Sequence, residues 1–253
     1  MLHAITRAVS RTITSCELTW LPRDPIDIEL ATAQHEDYER ALTEMGARVL
    51  SLPEQPDLPD AVFVEDPLLV FDEIAVVTRP GAAGRRAERD TLAEAIAPFR
   101  SIHRMTEPAT LEGGDVMRIG RDVFVGLSSR TNAAGIDELA RTLAPYGYKV
   151  HPVEVRGCLH LKSACCSLGD GKILANREWL DAARLRDYRL IDVAANEPSA
   201  ANLLRIGDTV LMPAAFRRTQ EIVRREGLAV RAVDISELMK AEAAITCSSV
   251  LFE

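Results

Sequence analysis

The feature that most restricts the fold is an interval. Asp66, Glu112, His160, Asn202 and Cys247 follow one another at 46, 48, 42 and 45 positions, each just ahead of an apolar run that reads as a hairpin. Repeats of roughly 40–50 residues indicate supersecondary units that stack or close into a ring. Within each interval the pattern cycles through hairpin, helix and strand, and five such units account for the 253 residues. The last unit lacks its helix and second strand, whereas the chain opens with a strand and a helix. Pairing the N-terminal strand with the C-terminal one closes the ring and leaves no free sheet edge. The expected architecture is an α/β propeller-like ring with the first residues of every hairpin near its axis. An open, mixed α/β sheet with a coincidental period is the alternative that spacing alone leaves standing.

Periodicity places the elements. Residues 3–9 alternate as a strand, and residues 10–28, rich in Arg, Thr, Pro and Asp, read as a long loop of the kind that covers binding sites. Residues 29–46 turn helical, with Leu30, Ala33, Tyr38, Ala41, Leu42 and Met45 on the apolar face and Gly46 as the stop. A strand follows at 48–52. Residues 68–71 and 74–79 flank a turn at Asp72-Glu73, and a helix is expected over 86–99 with Leu92, Ala93 and Ile96 inward. The pattern recurs at 116–119 and 123–125, before a helix capped by Asn132 whose stripe is Ile136, Leu139, Ala140 and Leu143. Residues 159–168 with 172–175, and 203–206 with 209–212, read as two further hairpins. A helix over 213–227 follows, with Pro213 in its first turn. Residues 244–252 read as the closing strand, with Cys247 near its start.

Composition excludes several classes. Thirty basic against thirty-eight acidic residues, a formal charge of -8 and the lack of a clustered Lys/Arg stripe argue against a nucleic-acid partner. No apolar run approaches the ~20 residues that span a bilayer, so no membrane partner is expected. Residues 1–7 lack the charged-then-apolar order of a signal peptide, and the expected compartment is the cytoplasm. The five cysteines, at 16, 158, 165, 166 and 247, form no C-x-x-C pair, which leaves a zinc knuckle or thioredoxin-type site unsupported. In a reducing compartment they are free thiols, most of them small buried hydrophobes.

Cys247 stands out because Thr246, Ser248 and Ser249 leave room and hydrogen bonds around its sulfur. A thiolate is the nucleophile, so such a site must lower the thiol pKa or pair it with a cation. His160, between Leu159 and Leu161 and followed by Lys162 and Ser163, faces away from the leucines; with Cys247 it makes the minimal pair for nucleophilic catalysis with proton transfer. Glu112 is a candidate to orient that ring, with Gly113 and Gly114 allowing close backbone approach. Asp60, Glu65, Asp66, Glu112 and Asp115 form an acidic set in apolar surroundings, as loop and capping groups or as anchors for a cationic ligand. Carboxylates grip a guanidinium through paired, charge-assisted bonds. Arg85 and Arg130 can hold a carboxylate by the same fork, the alternative being solvated residues at helix starts.

Five segments carry a resemblance: Phe63-Val64-Glu65-Asp66-Pro67, Thr78-Arg79-Pro80-Gly81-Ala82, Leu111-Glu112-Gly113-Gly114-Asp115, Leu159-His160-Leu161-Lys162-Ser163 and Thr246-Cys247-Ser248-Ser249. In order, and over essentially the whole chain, they resemble the signature segments of the dimethylarginine dimethylaminohydrolases. These belong to the guanidino-group-modifying superfamily that also holds arginine deiminases and amidinotransferases. The resemblance implies a five-bladed α/β propeller (pentein) of ββαβ modules with pseudo-fivefold symmetry, one catalytic domain over 1–253 with a lid at about 10–28. It implies that Cys247 is the nucleophile, His160 the general acid and base, and Glu112 the residue that orients His160 and binds guanidinium opposite Asp66. Arg85 and Arg130 would hold the substrate α-carboxylate, with Arg86 one register away from Arg85. Leu18, Asp60, Phe63 and Glu65 would line or support the pocket.

The expected reaction is hydrolysis of asymmetric dimethylarginine or monomethylarginine to citrulline and an amine, through a covalent S-alkylthiouronium on Cys247. Neither metal nor organic cofactor is expected, and the partner is a small guanidinium amino acid, taken up by a monomer or homodimer. An arginine deiminase-like or other guanidine hydrolase, and a catalytically silent binding protein of the same fold, are the alternatives. Arginine deiminases usually carry an inserted helical domain for which this chain has no room.

Overall fold

In the computed structural model, which describes residues 1–253, fifteen strands pair into five three-stranded sheets. The first is built from both ends of the chain. β1 (His3–Arg7) leads through α1 (Ile28–Glu44) to β2 (Arg48–Leu52), which pairs parallel to it. The second module runs β3 (Leu68–Val70), β4 (Ile74–Val77), α2 (Arg89–Ile96) and β5 (Ser101–Arg104). The third repeats this as β6 (Val116–Ile119), β7 (Asp122–Leu127), α3 (Ala133–Leu143) and β8 (Lys149–Glu154). In the fourth, a one-turn α4 (Leu161–Ala164) precedes β9 (Cys165–Gly169), β10 (Lys172–Ala175) and β11 (Arg189–Asp192). The fifth comprises β12 (Leu204–Ile206), β13 (Thr209–Pro213), α5 (Arg217–Arg225) and β14 (Ala229–Val233). A short α6 (Ser236–Met239) then leads to β15 (Val250–Phe252), which returns antiparallel to β1 and closes the ring.

Each middle strand is antiparallel to the strand on one side and parallel to the one on the other. A tight turn serves the first pairing in four sheets, and the two chain ends make it in the other; the second pairing needs a long crossover, which is why a helix or its substitute intervenes. The first strands of the hairpins meet at the axis, where β15 touches β3 and β9 touches both β6 and β12. Five apolar clusters fill the spaces between sheets and helices. The architecture is the five-module pentein propeller, so the open-sheet alternative is dismissed. No helix is long and apolar enough to cross a membrane.

Several local expectations change. Residues 159–168 are not one strand: His160 is extended, and one helical turn separates it from β9. Residues 244–252 are strand only from Val250, because Thr246–Ser248 forms a 3-10 turn around the thiol. Pro213 ends β13, held there by a ladder that extends to Val233, and α5 starts at Arg217. The helix expected over 86–99 is a 3-10 stretch, Ala83–Glu88, followed by the shorter α2. In the fourth module two 3-10 turns, Arg177–Trp179 and Ala182–Leu185, replace a helix. Asn176 and Asp181 each cap a new turn there, accepting from the N–H of Glu178 and Ala183, so the chain restarts instead of propagating. In α1 the buried face is Ala31, Gln34, His35, Tyr38, Ala41 and Leu42. Leu30 and Ala33 are exposed, because Gln34 turns inward to bond Asp234, Ser236 and the N–H of Glu237.

Candidate active site

The residues just ahead of the inner strands converge. Asp66, on the turn before β3, directs one oxygen to the N–H of Gly114 at 2.9 Å and the other to Arg85 at 2.5 Å. Glu112, fully buried, bonds the His160 Nε2 at 2.8 Å and accepts from the Ala82 N–H at 3.2 Å. One ligand-type atom from each of Asp66, Glu112 and His160 lies within 4.8 Å of the others. This is a spacing a metal could use, yet both carboxylates already hold guanidinium groups, Arg85 on Asp66 and Arg130 on Glu112. The Gly113-Gly114 pair is forced by this crowding. A Cβ on Gly113 would lie 2.0 Å from the Glu65 carbonyl oxygen, and one on Gly114 2.5 Å from His160 Nδ1 and 2.9 Å from Asp66. Gly113 admits the Glu65 backbone and Gly114 the side chains of His160 and Asp66, rather than a ligand.

His160 is aimed from below. Asp115, with no exposed surface, accepts the Leu161 N–H at 2.9 Å and the Ser128 hydroxyl at 2.6 Å, which starts the α4 turn and fixes the residue before it. Burial favours the neutral imidazole, but the charges of Asp66, Asp115 and Glu112 outweigh it and lift the His160 pKa to about 9. The ring therefore rests as an imidazolium at neutral pH. Burial opposes ionisation of Glu112 too, but the bond from His160 and the nearby cations hold it below the usual carboxylate range. Half-buried Cys247 sits in its 3-10 turn with Sγ accepting the Ala244 N–H at 3.4 Å. Burial, reinforced by the charges of Glu65 and Asp66, pushes its thiol well up. At neutral pH the pair is thus thiol and imidazolium, not thiolate and imidazole.

A narrow cleft is lined by Asp60, Phe63, Asp66, Arg85, Arg130, His160 and Cys247, together with Glu17, Ala241, Glu242 and Ala243. The open space among them is about 20 Å³, room for little more than one water molecule. Arg130 accounts for much of this: its Nη1 lies 3.2 Å from Glu112 and its Nη2 donates to the Thr19 hydroxyl of the covering loop at 2.9 Å. Arg85, rather than Arg86, faces the cleft; the Arg86 Nε donates to the Pro80 carbonyl. Arg85 also bonds Glu88 and the carbonyls of Phe63 and Asp60, so most of its donors are engaged within the protein.

Three expected site residues stand apart from the cleft itself. Glu112 lies behind His160. Glu65 turns away to pair with Lys162 and accept the Thr246 hydroxyl at 2.7 Å. The Leu18 side chain packs on the core below the loop. Asp60 tethers the loop through the Glu17 N–H at 3.0 Å.

Glu242 is the residue that sequence reasoning missed. Its carboxylate accepts the successive N–H groups of Thr19, Trp20 and Leu21, at 2.9 Å for Thr19 and 2.6 Å for Leu21. It holds a left-handed backbone (φ 60°), and nothing in Lys240-Ala241-Glu242-Ala243-Ala244 announces that.

Comparison with known proteins agrees with this geometry. A family profile described as N,N dimethylarginine dimethylhydrolase, eukaryotic, matches residues 20–209. The chain is 34% identical to the N(G),N(G)-dimethylarginine dimethylaminohydrolase of Pseudomonas aeruginosa over 252 residues, 99% of each chain. It is 38% identical to the enzyme of that name from Streptomyces coelicolor over 249 residues, 98% of this chain and 95% of that one. The chain belongs to the dimethylarginine dimethylaminohydrolase family. Among solved structures of that family, a histidine-to-glycine variant bearing an S-methyl-L-thiocitrulline adduct superposes with a TM-score of 0.95, at 34% identity over 99% of both chains. A cysteine-to-serine variant of the Pseudomonas aeruginosa enzyme, complexed with citrulline, superposes with a TM-score of 0.92, at 33% identity over 99% of this chain and 98% of that one. The N-terminal domain of the cyanobacterial arginine dihydrolase ArgZ, 20% identical with a TM-score of 0.89, shares the fold.

Proposed function

We propose that the protein hydrolyses N-methylated arginine to citrulline, releasing dimethylamine or methylamine, with Cys247 as nucleophile. One observation carries the reading. Two buried carboxylates that already bind guanidinium groups, Asp66 and Glu112, flank His160 beside the cleft into which the Cys247 thiol opens.

The substrate guanidinium takes the place between Asp66 and Glu112. Arg130, displaced from Glu112, turns to the substrate α-carboxylate, with Arg85 beside it. The arriving positive charge beside the sulfur favours the thiolate, so it lowers the Cys247 pKa and releases the thiol proton to solvent. The thiolate adds to the guanidinium carbon. His160 gives its proton to the methylated nitrogen, and the C–N bond breaks to leave an S-alkylthiouronium. His160, now neutral, takes a proton from water as the oxygen adds to the same carbon. Collapse of that adduct breaks the C–S bond as the hydroxyl proton passes to the departing sulfur, which restores the thiol and leaves citrulline. Asp60, Phe63 and the loop bearing Leu18 enclose the chain of the substrate and exclude bulk water.

Incubation with arginine, monomethylarginine and asymmetric dimethylarginine, with citrulline quantified, tests this. Turnover of the methylated substrates that vanishes in Cys247→Ala is expected. Comparable turnover by Cys247→Ala removes the mechanism, and equal rates on all three substrates remove the leaving-group assignment.

A further inference from the structure

Four of the five residues at the repeated position are Asp66, His160 and Cys247, which line the cleft, and Glu112, which bonds His160 from behind it. The fifth, Asn202, has no part in its lining and lies 3% exposed one module away. Its amide is fully engaged. Oδ1 accepts the Thr246 N–H at 3.0 Å, while Nδ2 donates to the Thr246 hydroxyl at 3.0 Å and to the Lys162 carbonyl at 3.1 Å. These partners fix which end of the amide is which, since a carbonyl only accepts and an N–H only donates.

The bonds continue into a closed circuit. The Thr246 hydroxyl donates to Glu65 Oε2 at 2.7 Å, and Glu65 Oε1 pairs with the Lys162 ammonium, whose own carbonyl faces Asn202. The three members besides Asn202 each lie close to a reactive residue in sequence: Glu65 precedes Asp66, Lys162 is two positions past His160, and Thr246 precedes Cys247. The Glu65 N–H also donates to the Cys247 carbonyl at 3.2 Å.

We propose that Asn202 is a positioning residue that aims the Cys247 sulfur and keeps it in register with His160. Only a side chain with both donor and acceptor at one end can hold Thr246 by its N–H and its hydroxyl while reaching Lys162. Asparagine at the repeat position does so without adding charge beside the Glu65–Lys162 pair. The 3-10 turn that carries the thiol has no side-chain cap of its own and depends on this amide for its first N–H.

The proposal rests on Cys247 and His160 acting as nucleophile and acid-base, and its test separates the two. Asn202→Leu keeps the branched shape and removes every bond. Its turnover of asymmetric dimethylarginine, counted per thiol that 2-chloroacetamidine can label, is expected to fall about 10- to 100-fold with KM within about threefold, the effect of displacing a reacting atom by roughly 1 Å. The pH profile of Cys247 alkylation is expected to shift in the same variant, which a general loss of stability would not cause.

Thr246→Val breaks the circuit at another joint and should reproduce the defect, whereas Thr246→Ser, which keeps the hydroxyl, should not. This pair decides the matter if Asn202→Leu does not fold. Wild-type turnover per labelled thiol with an unchanged alkylation profile in Asn202→Leu, or equal turnover in the two Thr246 variants, overturns the assignment. If Cys247→Ala is inactive while these variants behave as wild type, the circuit alone is refuted; if Cys247→Ala is active, the underlying mechanism falls.

Discussion

Replacing Glu242 by alanine should unlatch the loop over the cleft. The native carboxylate accepts three successive N–H groups, from Thr19, Trp20 and Leu21. Hydrogen bonds to a charged group contribute about 1.5–3 kcal/mol when buried, but Glu242 is half-exposed, so about 1 kcal/mol each is the appropriate figure. Losing all three costs the closed loop roughly 3 kcal/mol, a factor on the order of 100 in its opening equilibrium. The Asp60 bond to Glu17 and the Arg130 bond to Thr19 remain, so the opening is confined to the middle of the loop.

Hydrogen exchange reads this directly, because these three amides exchange only when the loop opens. In Glu242→Ala they are expected to exchange about 100-fold faster than in the wild type, while amides of β1 stay unchanged. Glu242→Gln, which keeps one acceptor oxygen, should fall between. With little room in the closed cleft, the same variant should also admit substrate faster. Unaltered exchange at Thr19, Trp20 and Leu21 in Glu242→Ala would refute the latch.

Two further outcomes follow from the charges around His160. Its pKa is raised from an ordinary 6.5 to about 9, so its contribution to stability is full below pH 6.5 and fades as pH rises through about 9. The amount at stake is at most roughly 3 kcal/mol. The difference in unfolding free energy between wild type and His160→Gln should therefore shrink between pH 6 and pH 9.5, and a constant difference would count against the charged resting state. Glu112→Gln keeps the shape but removes the charge that bonds the ring. Its His160 should titrate at lower pH by NMR and its kcat should fall about 10²- to 10⁴-fold; an unmoved titration would show that Glu112 does not hold the imidazolium.

The axis was readable because it repeats. One reactive or polar residue ahead of each inner strand, at intervals set by one hairpin, one crossover and one outer strand, leaves a periodic trace that survives unrelated side chains. The apolar stripes of α2 and α3 were readable for the same reason, being periodic in themselves. What escaped is non-local. The turns at His160 and Cys247 look like strand in sequence, and become turns only because Asp115 and Asn202, from other modules, capture their N–H groups. The buried phase of α1 depends on Gln34 finding partners 200 positions away. Arg85 was placed in the cleft, but its partners Glu88 and Asp66 could not be named from spacing. Glu242 left no trace because a left-handed backbone on a glutamate has no sequence signal.

In the proposed mechanism the guanidinium carbon is passed to the sulfur of residue 247. Acid quenching during turnover of asymmetric dimethylarginine, followed by peptide mapping, tests it without relying on a variant. An adduct equal to the substrate less its amine is expected on the peptide bearing Cys247, formed before citrulline and lost as citrulline appears. An adduct on Cys158, Cys165 or Cys166, or citrulline formed at full rate with Cys247 never modified, would contradict it.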